Sequence, residues 1–171
     1  IASILSITGN NLIPVLVEPS LDSYNIDENL IEEKITFKTK AIMIVHLYGQ
    51  VAYTEKIGKI AKKYKLMVIE DCSQSPTAVY KGKLAGTVAH IGVLSLNYHK
   101  HIHTGEGGIC LTNDPILAER MQLIRNHAEA VVHEKGVANI DNMIGFNFRL
   151  GEIEAAIGIE QFKKLDGIIN D

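Results

Sequence analysis

Lys100 stands in S-L-N-Y-H-K-H-I-H-T-G-E-G-G, residues 95–108, five positions after Ser95 and just ahead of a Gly-Glu-Gly-Gly turn. A lysine amine does covalent chemistry when it is held near a carbonyl and can lose its proton. Upstream, the strand-like run Leu66-Met-Val-Ile-Glu-Asp71 ends on an acidic pair, and Gln74 follows. An acid at one strand end, with a serine and a lysine at another, matches the needs of pyridoxal phosphate. That cofactor takes an acid for its ring nitrogen, donors for its phosphate and a lysine for its aldehyde. On this reading Asp71 partners the ring, Gln74 donates to the phenolic oxygen, Ser95 donates to the phosphate and Lys100 meets the aldehyde.

Each of these residues also has a plainer reading. Acids at strand ends often cap a turn or face solvent, and a carboxylate pair also suits a divalent metal. An isolated lysine is usually a solvated charge. His99, His101 and His103 alternate around Lys100; on an extended backbone they share one face, which makes a metal site a rival reading. No acid sits at ligand spacing there, so no metal is expected. Gly145-Phe-Asn-Phe-Arg149 offers Asn147 and Arg149 to a phosphate or a charged substrate, or simply an aromatic anchor before a helix. His46, in V-H-L-Y-G, faces either the ligand or the core.

The elements that must position these residues follow from local patterns. Residues 1–8 read as a helix end stopped by Gly9-Asn-Asn11, and 12–17 as a strand. A short helix is expected near 28–35, strands at 41–46, 66–70, 91–96 and 108–111, and an amphipathic helix at 54–64. Tyr80-Lys-Gly-Lys83 reads as a hairpin turn, 115–126 as a helix capped from Thr112-Asn-Asp114, 127–142 as a loop or lid, and 150–165 as the last helix. Strands that are apolar throughout, alternating with helices, predict an α/β fold with a mostly parallel central sheet and helices on both faces. Ligands in such sheets bind beyond the carboxyl ends of the strands, where Asp71 and His46 fall.

Composition narrows the function. The 171 residues fit one domain or part of one, and a hydrophobic fraction of 46% is that of a globular chain. A net charge of -3, with Lys and Arg scattered, argues against nucleic acid and against a polybasic membrane patch. No apolar run approaches the ~18 residues of a membrane span. Two cysteines, Cys72 and Cys110, make no disulfide framework; both are expected to be small core residues of a cytoplasmic protein. The first residue, Ile1, and the stop just after an amphipathic run suggest an internal piece of a longer chain.

Four segments in order, V-H-L-Y-G-Q, V-I-E-D-C-S-Q-S, L-S-L-N-Y-H-K with G-E-G-G, and G-F-N-F-R-L, resemble the DegT/StrS family of sugar aminotransferases. The resemblance covers nearly all of the chain. It implies a pyridoxal-phosphate enzyme of the aspartate-aminotransferase fold, type I, with residues 1–171 forming part of the cofactor-binding large domain and the small C-terminal domain lying outside. It implies that Asp71 holds the ring nitrogen protonated, Gln74 sits by the phenolic oxygen, Ser95 is a phosphate ligand and Lys100 is the Schiff-base lysine. Asn147 would reach the phosphate of the neighbouring subunit's cofactor, which implies a homodimer with shared sites; Arg149 lies beside it.

The implied partners are an amino-acid donor, glutamate by resemblance, and a nucleotide-linked keto sugar. Related sugar dehydratases carry histidine in place of the lysine. The family places its lysine six residues before the glutamate of the glycine-rich turn; counting back from Glu106 lands on Lys100, which favours amination over deoxygenation. Cys72, Ser73 and Leu96 depart mildly from the family pattern. The alternatives are the dehydratase of the same fold and a non-catalytic, histidine-rich metal-binding protein.

Overall fold

The computed structural model describes residues 1–129 and 143–170. The chain divides into two compact units, Ile1–Ser95 and Leu96–Asp171.

The first unit begins with helix α1, Ala2–Thr8, stopped at Gly9. Its sheet is built from β1, Ala41–Val45, β2, Met67–Asp71, and β5, Ile91–Ser95. β1 pairs in parallel with β2, and β2 with β5. The strands are short and rich in Ile and Val, which suit a pleated surface buried between layers. Helix α2, Glu55–Tyr64, joins β1 to β2. Thr54 caps it by accepting the Ile57 N–H at 3.2 Å, and Lys62 and Lys63 sit in its last turn, where the helix dipole favours cations. Its apolar stripe, Ile57, Ile60 and Ala61, packs into one core with Ile42, Ile44, Leu66 and Val68. Between β2 and β5 a two-stranded hairpin, β3 (Val79–Tyr80) and β4 (Lys83–Leu84), turns at Lys81 and Gly82, both left-handed, as the sequence predicts.

The second unit holds β6, Gly108–Leu111, and helices α3, Pro115–Arg125, α4, Glu152–Phe162, and α5, Leu165–Asn170. Asp114 caps α3, accepting from the Ile116 and Leu117 N–H groups, with Pro115 at the first helical position.

The expected α/β class with a mostly parallel sheet is the one found. Four local expectations change. Residues 12–17 form no strand: Pro14 removes a backbone donor, and Leu12, Ile13, Val15 and Leu16 lie exposed. The helix near 28–35 shrinks to a 3-10 turn, Glu32–Lys34, because Asp27 takes the Asn29 N–H with its side chain and competes with the helical pattern. The helix expected at 150–165 forms over Glu152–Phe162, but a further short helix, Leu165–Asn170, follows it. Cys72 is a core residue as expected, but Cys110 is exposed. Of the expected loop or lid at 127–142, residues 130–142 lie outside the described residues, His133 and Gly136 among them.

Candidate functional site

In the first unit the strand register gathers chemistry at one edge. Val45 lies opposite Asp71, and Asp71 opposite Val93, so His46, Asp71 and Ser95 fall at the carboxyl ends of three adjacent parallel strands. Asp71 is half-buried. Its Oδ1 accepts the Ser73 N–H at 3.1 Å and its Oδ2 accepts the Ser3 hydroxyl at 2.7 Å. Gln74 is also half-buried, and its Oε1 accepts the Tyr48 N–H at 3.0 Å. With the carbonyl engaged there, the group Gln74 offers to a further partner is its NH2 donor.

His46 and Glu70 go inward. Both side chains are fully enclosed, with His46 Nε2 2.9 Å from Glu70 Oε2. His46 Nδ1 accepts the Ala52 N–H at 3.0 Å, which places the ring proton on Nε2 and directs it to Glu70. Glu70 also accepts the backbone N–H groups of Gly86, Val88 and Ala89 at 2.7–3.0 Å. Burial pushes the Glu70 carboxyl up, but His46 and the Gly86 and Ala89 amides outweigh it and hold it below the usual carboxylate range. His46 therefore contacts protein instead of facing substrate, which corrects the ligand-facing expectation. Sequence reasoning took Glu70 as one of an acidic pair that caps a turn, faces solvent or suits a metal, although alternation along β2 puts it on the buried face with Val68.

Ligand atoms of His46, Glu70 and Cys72 lie within 4.8 Å of one another, a grouping that suits a metal on distance alone. The donor set does not fit one. Both nitrogens of His46 and both oxygens of Glu70 are committed to hydrogen bonds, and burial pushes the Cys72 thiol up to about 12.

In the second unit Lys100 sits on a closed loop. Leu96 N–H donates to the Gly107 carbonyl at 2.9 Å, and Thr104 N–H to the Leu96 carbonyl at 3.0 Å. Asn97 braces the interior. Its Oδ1 accepts the His99 N–H, its Nδ2 donates to Glu106 at 2.8 Å, and its main-chain carbonyl accepts the Lys100 N–H at 2.9 Å. Lys100 is half-buried, and among the described residues none of the ion pairs involves it. The turn means that His99, His101 and His103 do not lie along an extended strand. The His99 and Tyr98 rings lie with centroids 3.7 Å apart and tilted by 36°, and the three histidines form no metal-ligand group among the described residues.

Asn147 is exposed and pairs with Asn126 in an isolated antiparallel bridge, and its sequence neighbours Phe146 and Phe148 stack on each other with centroids 4.9 Å apart. Arg149 Nη1 donates to Asn126 Oδ1 at 2.7 Å, so this guanidinium helps to clasp the segment that presents Asn147.

Comparison with known proteins gives these residues a context. The model of the DegT/DnrJ/EryC1/StrS aminotransferase family matches residues 1–171. A dTDP-3-amino-3,6-dideoxy-alpha-D-galactopyranose transaminase of Aneurinibacillus thermoaerophilus is 49% identical over 159 residues, covering 92% of this chain and 42% of that protein. The X-ray structure of an aminotransferase from Psychrobacter cryohalolentis superposes with a TM-score of 0.89 at 33% identity, covering 97% of this chain and 44% of that one. An E. coli GDP-4-keto-6-deoxy-D-mannose-3-dehydratase with bound hydrated PLP gives a TM-score of 0.74 at 32% identity, covering 88% and 42%. The chain spans less than half the length of each of these relatives.

Proposed function

This chain belongs to the DegT/DnrJ/EryC1/StrS aminotransferase family, and from that membership we propose that it is part of an enzyme that aminates a nucleotide-linked keto sugar with pyridoxal phosphate. The amino group comes from an amino-acid donor, glutamate by the family resemblance. Residues 1–171 belong to the cofactor-binding large domain. The observation that carries the reading is the 49% identity to a transaminase acting on a dTDP-linked sugar.

The residues present fit the cofactor. Gln74 is already turned as a donor by Tyr48, Asp71 is fixed at a strand end, and Lys100 stands on a braced turn. When bound, pyridoxal phosphate supplies an aldehyde that condenses with amines and a protonated ring that absorbs electrons as a proton leaves the donor's alpha carbon.

The chain's own residues do the rest. Asp71 sets a negative charge against the ring nitrogen and keeps it protonated. Gln74 donates to the phenolic oxygen and Ser95 to the phosphate. Lys100 would hold the cofactor through its aldehyde, and its Nζ would carry the proton of the donor's alpha carbon, first as base and then as acid. Asn147, and with it the Arg149 clasp, serves the phosphate of a neighbouring subunit, so the working form is a homodimer.

The solved dehydratase supports a second reading, removal of a sugar hydroxyl on the same fold. A lysine at position 100 favours amination. The test is made on the purified holoenzyme. Borohydride should erase the visible cofactor band and leave a reduced pyridoxyl group on Lys100, found by peptide mass. A panel of keto-sugar nucleotides should yield amino sugars. A Lys100→Ala protein with full turnover overturns the reading, and deoxygenated products replace it with the dehydratase.

A further inference from the structure

Helix α1 bears two side chains that are not exposed, Ser3 and Ile7, one turn apart on the same face. Ser3 reaches across 68 positions of sequence to donate its hydroxyl to Asp71 Oδ2 at 2.7 Å. That length is the ordinary one for a well-made O–H···O hydrogen bond. The other oxygen, Oδ1, is held by the Ser73 N–H at 3.1 Å, a contact local to the turn after β2.

The two bonds do different work. A carboxylate tethered at one oxygen swivels about its Cβ–Cγ bond, because that terminal torsion is broad. A second donor on the opposite oxygen fixes the plane.

We propose that Ser3 is a positioning residue for Asp71: its hydroxyl sets the plane in which that carboxylate meets the cofactor's ring nitrogen. The inference rests on the reading of Asp71 as the ring partner and adds to it a residue that no sequence motif singled out. On this proposal Ser3 acts through Asp71.

The test uses three variants of the holoenzyme, Ser3→Ala, Ser3→Thr and Asp71→Ala. The readouts are the pyridoxal phosphate dissociation constant, the pH titration of the cofactor's visible band, and the thermal midpoint of the cofactor-free protein. Ser3→Ala should weaken cofactor binding by about tenfold, the scale of one hydrogen bond to a charged group. It should also displace the band titration in the same sense as Asp71→Ala, by a smaller amount. Ser3→Thr keeps the hydroxyl and should restore both readouts to within about twofold.

If Asp71→Ala perturbs the band and Ser3→Ala does not, Ser3 has no positioning role and the proposal falls alone. If Asp71→Ala leaves the band and the cofactor affinity intact, the ring-partner reading falls, and this proposal with it. A lowered cofactor-free midpoint with an unchanged band titration in Ser3→Ala makes Ser3 a structural residue only and also overturns the proposal.

Discussion

His46 Nε2 lies 2.9 Å from Glu70 Oε2 with neither side chain exposed, so a histidine and an acid at adjacent strand ends are turned into the protein. Asp71, the next residue after Glu70, is half-buried and oriented by Ser3 and Ser73. One acid of the pair is therefore enclosed in the protein, and its neighbour stays half-buried at the strand end. Period-two alternation along β2 separates them.

Replacing Glu70 tests the enclosed acid. Its carboxylate collects His46 Nε2–H and the backbone N–H groups of Gly86, Val88 and Ala89. Glu70→Ala strands all four donors in the interior. Breaking a buried polar pair from one side costs about 3–5 kcal/mol. Urea unfolding should show a loss on that scale, with Glu70→Gln falling between the two proteins because one acceptor oxygen survives.

The same residue sets a pH dependence. Its donors hold the Glu70 carboxyl below the usual range in the folded protein. The unfolded chain, with an ordinary glutamate near about 4.3, then binds the proton more readily. Stability from Glu70 is complete above that ordinary value and is lost as pH falls through the lower, folded one. The difference in thermal midpoint between wild type and Glu70→Gln should be widest near about pH 7 and shrink toward about pH 3. A gap that is constant across that range contradicts the assignment.

Gly92 lets the 86–89 loop reach Glu70. A Cβ added there would lie 2.1 Å from the Gly86 carbonyl oxygen and 2.3 Å from Gly86 Cα, backbone atoms that cannot swing aside. Gly92→Ala should therefore push the loop off the carboxylate and cost about 1–3 kcal/mol, as overpacking does. Hydrogen exchange at the Val88 and Ala89 amides should accelerate. In a double mutant with Glu70→Ala the two losses should fail to add, because both act on one network.

Much of the architecture was legible because it rests on local pattern. The runs at 41–46 and 66–70, the amphipathic pattern at 54–64, the Thr112-Asn-Asp114 cap and the Tyr80–Lys83 turn each predict an element that forms. The run at 12–17 misled because periodicity sees branched residues and gives too little weight to Pro14. Among the candidate site residues, Asp71, Gln74, Ser95 and Lys100 stand out by type and motif. His46 looked equally available, because its burial depends on Ala52 and Glu70, partners brought together only by β1–β2 pairing. Ser3 was invisible for the same reason: nothing in I-A-S-I-L-S points to a residue 68 positions away.

Asn97 offers the last test, on the loop that carries the lysine. One side chain serves both halves of the turn: its oxygen takes the His99 N–H, its nitrogen donates to Glu106, and its main-chain carbonyl takes the Lys100 N–H. Asn97→Ala removes both side-chain bonds and leaves the Leu96–Gly107 closure in place. The loop should survive while the Lys100 turn loosens within it. A displacement of about 1 Å in a reacting group can cost a hundredfold in rate, so kcat should fall about tenfold to a hundredfold with the circular dichroism spectrum unchanged. Asn97→Asp keeps the cap on His99 but sets a carboxylate against Glu106, and it should fall between the two. Wild-type turnover in Asn97→Ala would show that the backbone closure alone holds Lys100, and the Asn97–Glu106 bond would then have no part in presenting the amine.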